Sequence, residues 1–249
     1  MRPLEKQVFV CLDCETTGLD PKNDKVIEIA ITKFTLHEVL ETFESLVDPK
    51  IAIPEESKKI HHISDDMVKG APLFEEVLPK VLEMAGREPI VGHGIKFDVE
   101  MIAAGVEATG KTPVIRNNKQ IDTLRLARLY GESPTNSLEM LRKHFNIPEE
   151  GAHRAMNDVI VNIEVFRRLS TKFKTLPQLL KTLEKPVLMK AMPLGKHKGR
   201  AFKDIPLDYL KWASYKDFDE DLLFSIRTEL KRRKQGNLFS QASNPFGSL

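Results

Sequence analysis

Cysteine is nearly absent from this 249-residue chain: only Cys11 and Cys14 occur, both in the strand-like run Gln7-Val-Phe-Val-Cys-Leu-Asp-Cys-Glu15. Their C-x-x-C spacing suggests zinc or redox chemistry, but residues three apart on a strand point to opposite faces. No second thiol pair exists to complete a structural zinc site. They read as two reduced strand cysteines. Long apolar runs are missing too. None approaches the ~20 residues of a membrane-spanning helix, and Met1-Arg-Pro-Leu-Glu-Lys-Gln7 has no apolar stretch behind its basic residue. A cytoplasmic location with no membrane attachment is therefore expected. No internal repeat is present, which sets aside solenoid architectures.

Net charge is small, at +2, but unevenly spread. Residues 186–235 hold twelve Lys/Arg against seven Asp/Glu, whereas the rest holds 26 against 29. The basic excess near the C-terminus could hold an anionic polymer; a solvated charged surface would give a similar count.

Gln7–Asp13, Val26–Phe34 and Glu38–Val47 alternate in the manner of strands and suggest an antiparallel meander. Leu73–Ala85 has helical apolar spacing at Val77, Leu78, Val81 and Leu82. A short buried strand is expected over Glu88–His93, a helix over Asp98–Thr109, an edge strand at Gln120–Asp122 and a helix through Tyr130. Ser137 suits a helix N-cap, and Ala155–Phe173 is helical through Val159, Ile163, Phe166 and Leu169. Three strands followed by alternating helices and strands indicate an α/β chain with a mixed sheet. The expected boundaries are a first domain at 1–175, a linker at 176–186, a small accessory domain at 187–234 and a flexible tail at 235–249. Aromatic side chains of the accessory unit, Tyr209 and Trp212 among them, read as its core rather than as base-stacking platforms.

Acidic residues carry the chemistry. Asp13 and Glu15, two apart at the end of an apolar strand, share one face; buried there, they need a cation or strong hydrogen bonds. Asp98 closes Gly92-His-Gly-Ile-Lys-Phe-Asp98 at the start of a helix. In His153-Arg-Ala-Met-Asn-Asp158 the last residue lies in the early turns of a helix and His153 on its lead-in.

At these residues the chain resembles the DEDDh family of 3′–5′ exonucleases, the group containing the proofreading subunit of bacterial DNA polymerase III. Asp13-x-Glu15-Thr-Thr-Gly matches the first family motif, Phe97-Asp98 the end of the second, and His153 with Asp158 the third, in order over roughly residues 7–172. The family usually has Asn after the His of its second motif; here Gly94 follows His93.

The resemblance implies a ribonuclease H-like mixed sheet flanked by helices, and two divalent cations, Mg2+ or Mn2+. Asp13, Glu15 and Asp158 would surround the first, with Asp13 bridging to the second and Asp98 acting there largely through water. His153 would serve as general base. Thr16 would meet the 3′-hydroxyl and Leu19 wedge against the last base. Ile60-His-His-Ile-Ser64 is similar to a family stretch that places His61 near the same pocket, which His93 and Phe97 would help to line. The implied activity is metal-dependent 3′–5′ release of nucleoside monophosphates from DNA in proofreading or repair. An exoribonuclease of the same family is the nearest alternative, and a non-catalytic nucleic-acid-binding or clamp-tethered scaffold is one from another class.

Met192-Pro-Leu-Gly-Lys-His-Lys-Gly-Arg200 combines glycines with basic groups, so its backbone N–H groups and cations could meet phosphates. It is similar to a small module that follows some members of the family, in which Gly-Lys-x-x-Gly precedes a Tyr-Leu-x-Trp stretch (here Tyr209-Leu-Lys-Trp212). Gln235-Gly-Asn-Leu-Phe239 resembles the peptide by which bacterial replication proteins dock on the sliding clamp, with Gln235, Leu238 and Phe239 as its fixed positions. Sliding clamp or DNA polymerase III subunits are thus candidate partners beside nucleic acid, DNA favoured over RNA; a tail without function is the alternative.

Overall fold

The run of apolar residues after Gln7 forms β1 (Phe9–Thr16), whose first four residues are buried. It pairs antiparallel with β2 (Val26–Phe34), which pairs antiparallel with β3 (Val39–Leu46). Two short strands, β4 (Ile90–Gly92) and β5 (Gln120–Asp122), extend the sheet in parallel on the other side of β1, giving the order β3-β2-β1-β4-β5. This is a computed structural model, and it describes residues 2–133, 135–148 and 154–242, with side chains described as far as 235.

The helices of this region are α1 (Glu55–His61), α2 (Asp65–Val68), α3 (Phe74–Ala85), α4 (Lys96–Ala108), α5 (Thr123–Tyr130), α6 (Leu138–His144), α7 (Ala155–Ser170) and α8 (Leu176–Leu183). Ser137 caps α6, its hydroxyl accepting from the Met140 N–H. Because side chains alternate across a strand, β1 feeds two cores. Phe9 and Cys11 join Phe34, Val159 and Phe166 on one face; Val10, Leu12 and Cys14 join Val81, Val99 and Ile102 on the other. The two thiols therefore lie on opposite faces of the sheet, and both are free. Phe9, Phe34 and Phe166 stack edge to face or tilted with centroids 5.0–6.0 Å apart. Each such buried side chain contributes about 1.5–3 kcal/mol, so apolar packing does much to fix α7 against β1. The result is a ribonuclease H-like mixed sheet with helices on both faces.

The chain divides into two compact units, Met1–Leu183 and Glu184–Leu249. The first unit thus runs past residue 175, the expected end of the first domain. Residues 176–183 form α8, and its Leu179 and Leu183 are buried in the same core as Leu169 and Phe173. An amphipathic helix with a leucine face has surface to bury, which a linker has not.

The second unit is built on α9 (Leu207–Ala213) and α10 (Glu220–Ala242). Its core is Met192, Phe202, Ile205, Leu210, Ala213, Leu222 and Ile226, with Tyr209 and Phe218 at the edge. Trp212 is 51% exposed and Tyr215 90%, so the expectation that the tryptophan is core is corrected. Leu210 and Ala213, three apart, define the inner face of α9, and helical geometry turns Trp212 away from it. The tail expected to be flexible from 235 is helical to Ala242. Leu222, Ile226 and the Glu229 pairs with Arg232 and Arg233 hold α10 upstream, and extending an existing helix is far easier than starting one. Among the described residues no helix is long and apolar enough to cross a membrane.

Candidate active site

Alternation on β1 sets the site. Phe9 and Cys11 face α7, so Asp13 and Glu15, the next residues on that face, point the same way. Asp158 lies in the first turn of α7. One carboxylate oxygen from each of Asp13, Glu15 and Asp158 lies within 4.8 Å of the others. Asp98, in the first turn of α4, stands beside this trio. It is buried, and its Oδ1 accepts from the Cys14 N–H at 3.0 Å, between the two β1 acids. Four carboxylates distant in sequence thus gather at the carboxyl end of β1.

Their electrostatics follow from the crowding. Burial, then the charges of Asp98, Asp158 and Glu15, push the Asp13 carboxyl well above the usual carboxylate range. Glu15 is pushed from 4.5 to about 8, by burial first and then by Asp158, Glu28 and Asp98. Burial also raises Asp98, against the opposing hydrogen bond from Cys14. Half-buried oxygen donors that repel one another and resist ionisation are a donor set suited to a hard divalent cation.

Glu28, on β2 opposite Glu15, was missed in the sequence. It is 4% exposed and is a fifth acid near the cluster, turned to a different task. Its oxygens accept from Arg154 Nε at 2.9 Å, Arg154 Nη2 at 2.5 Å and the Ala155 backbone N–H at 3.0 Å. It therefore ties the start of α7, and with it Asp158, to the sheet. The signal was available: a single charge inside Val26-Ile-Glu-Ile-Ala-Ile31 has to find a partner when that strand is buried.

Beyond the acids, Thr16 ends β1 and its hydroxyl donates to the Gly18 carbonyl at 2.7 Å. The next turn is tight: a Cβ at Gly18 would fall 2.5 Å from the Asp24 carboxylate, which itself accepts from the Thr17 hydroxyl and the Asp20 N–H. Leu19, at the tip, is 83% exposed. Ser57 of α1 donates to the Thr17 carbonyl at 2.7 Å, which ties the helix ending in His61 to this turn. His61 is buried; its Nδ1 accepts from the Ile63 N–H, while Nε2 has no partner among the described residues.

His93 is placed differently from expectation. Its Nε2 lies 2.9 Å from the Asn136 carbonyl and its Nδ1 3.1 Å from the Thr123 hydroxyl. Burial lowers it to about 4, so the ring is neutral. With both nitrogens used inside the protein it has no hydrogen bond to offer a nucleotide, and it fastens the 136 loop to α5 instead. Gly94, at the family's Asn position, has φ +79° and donates to Asp122; Gly and Asn are the residues that tolerate this backbone. Phe97 is half-buried against the α4 core. His153 lies outside the described residues, as do the side chains of Leu238 and Phe239.

A family profile described as "Exonuclease" matches residues 10–166, a span that holds Asp13, Glu15, Asp98, His153 and Asp158. The chain belongs to this exonuclease family. The exonuclease region is 38% identical over 167 residues to DNA polymerase III PolC-type of Clostridium perfringens, covering 67% of this chain and 11% of that protein. Identity is again 38% over 167 residues to the corresponding protein of Caldanaerobacter subterraneus, of which 12% is covered. The chain thus spans 11–12% of the length of these relatives. Among solved structures the exonuclease fold is shared with Exonuclease X in complex with 5′ overhanging duplex DNA, at 24% identity and a TM-score of 0.56, over 70% of this chain and 98% of that one. It is shared too with E. coli Exonuclease I in complex with a dA16 oligonucleotide, at 20% identity and a TM-score of 0.62, over 72% of this chain and 43% of that one. A second profile, "Putative quorum-sensing-regulated virulence factor", matches residues 179–228.

Proposed function

We propose that this exonuclease is metal-dependent, works in the 3′–5′ direction and releases nucleoside monophosphates from DNA ends in proofreading or repair. The observation that carries the reading is the convergence of Asp13, Glu15 and Asp158 within 4.8 Å, with Asp98 alongside. These residues would hold divalent magnesium or manganese, Asp98 serving a second ion beside Asp13, and such ions neutralise the phosphate and acidify a bound water.

The chain supplies the remaining parts. His153, five residues before Asp158, takes the proton from the attacking water, a role resting on the motif and on imidazole's suitability near neutral pH. Glu28 anchors Arg154, the residue that follows it. The exposed Leu19 packs against the terminal base, and Thr16 receives the 3′-hydroxyl. With Nδ1 accepting from Ile63, neutral His61 carries its proton on Nε2, a buried donor on the helix tied to the turn that would receive the terminal nucleotide. DNA is favoured over RNA by the DNA polymerase III relatives and by neighbours solved with DNA.

Matched DNA and RNA oligonucleotides, labelled at the 5′ end, test the reading with magnesium, manganese or chelator. DNA shortened stepwise from its 3′ end, only when a metal is supplied, is expected. RNA shortened faster than DNA would move the assignment to an exoribonuclease. Strands left intact with every ion would leave the non-catalytic scaffold.

A further inference from the structure

The second unit presents the rings of Trp212 and Tyr215 to solvent, next to a partly buried Tyr209 and a buried His197. His197 and Tyr209 meet edge to face at 4.5 Å, Tyr209 and Trp212 lie 5.2 Å apart, and Lys216 Nζ sits 4.8 Å from the Trp212 ring centroid. Tyr215 follows, 90% exposed. The loop before α9 is fixed in place. Met192 and Arg200 are joined by a backbone hydrogen bond, Gly199 donates back to Met192, and Gly195 (φ +71°) approaches so closely that a Cβ would stand 3.1 Å from the Tyr209 hydroxyl. That loop leaves Lys196, Lys198 and Arg200 exposed. Residues 192–216 carry six Lys/Arg against two Asp/Glu. One of those acids, Asp208, is engaged with Lys211 at 3.8 Å.

Apolar packing does not explain this arrangement. Large aromatics gain by burial, and the unit fills its core without Trp212 or Tyr215. A protein-docking patch built on aromatics is usually poor in lysine, whereas here Lys216 lies against the Trp212 ring and Lys196, Lys198 and Lys211 are exposed in the same stretch of chain. Exposed rings flanked by cations suit a polyanion whose flat bases are free to stack, and in duplex DNA those base faces are covered.

We propose that the Trp212–Tyr215 face, with Lys196, Lys198, Arg200 and Lys216, binds single-stranded DNA by stacking bases on the rings and pairing phosphates with the cations. The proposal deepens the DNA reading above by giving the chain a second strand-binding surface.

Trp212 is the only tryptophan, so its emission reports on the face directly. The full chain is titrated with oligo-dT in chelator, which keeps the strand intact. Emission is expected to change saturably, and Tyr215→Ala to weaken the affinity read from it on the order of tenfold. Replacing Lys196, Lys198 and Arg200 together by Gln should lower the slope of log affinity against log salt by about 2. A duplex of equal length should move the emission less. Unmoved emission at saturating oligonucleotide, or parental affinity in a Trp212→Ala/Tyr215→Ala variant followed by anisotropy, overturns the proposal and leaves the face to another partner such as a protein. Failure to cleave while Trp212 still responds would sink the exonuclease reading alone.

Discussion

The carboxyl end of β1 and the face of α9 would meet an anionic polymer in opposite ways. At β1 negative charge is gathered and partly buried, and Glu15 is raised to about 8. At α9 positive charge and aromatic surface lie open to water. The first would repel a phosphate unless cations intervene, and it is held by distant segments that repel one another. The second attracts phosphate as it stands and is drawn from one short stretch of chain. A reaction centre stores unfavourable electrostatics in a rigid frame, whereas a holding surface needs none.

The sharpest way to break this contrast is Asp13→Asn. If the carboxylates gather cations for catalysis, losing one should lower kcat by roughly a thousandfold, since such charge stabilisation is worth several kcal/mol and 1.36 kcal/mol is tenfold. The same variant should melt higher than the parent in chelator, because a repelled, buried charge has gone. Oligo-dT affinity at Trp212 should not change. An Asp13→Asn protein that melts lower and still cleaves at the parental rate would show that the cluster is merely structural.

Glu28→Gln probes the frame. Breaking a buried ion pair costs about 3–5 kcal/mol, but the Arg154 side chain is 41% exposed and can turn to water, so about 1–3 kcal/mol is expected. With the start of α7 loosened, kcat should fall on the order of tenfold to a hundredfold while KM stays within about twofold, because 1 Å misplacements cost about that much. Steady-state kinetics with chemical denaturation separate the two effects; a change confined to KM would reassign Glu28 to substrate binding.

The smallest effect is in pH. Glu15 ionises near 4.5 in an ordinary environment and near 8 in the fold, so between those values the folded chain binds more protons than the unfolded one and stability falls as pH rises. Asp13 and Asp98 shift in the same direction. In chelator, the stability lost through Glu15 should therefore grow as pH rises from 4.5 to about 8, and Tm should fall across that window. Manganese should raise it most at the alkaline end. A Tm in chelator that climbs with pH across this window would mean that the acids are relaxed rather than repelled.

Much of this was legible beforehand. The two-residue spacing of Asp13 and Glu15 on an apolar strand fixed their common face, and the position of Asp158 near the start of a periodic helix placed it in the first turn. Residues whose meaning depends on a distant partner were harder. His93 resembles a pocket residue until Asn136 and Thr123 are seen to take both its nitrogens. Glu28 looks like any strand glutamate until Arg154 arrives from 126 residues away. Trp212 was misplaced because aromatic residues favour cores in general, while α9 is short enough to be held by Leu210 and Ala213.

The sequence by itself determined the acids, their local spacing, the strand and helix periods and the basic C-terminal stretch, all of which follow from backbone geometry within a few residues. Only the tertiary structure decided which carboxylates meet, which one is spent on Arg154 and which aromatic rings remain in water. Those outcomes depend on desolvation and on contacts closed over long loops, and neither can be read from neighbours along the chain.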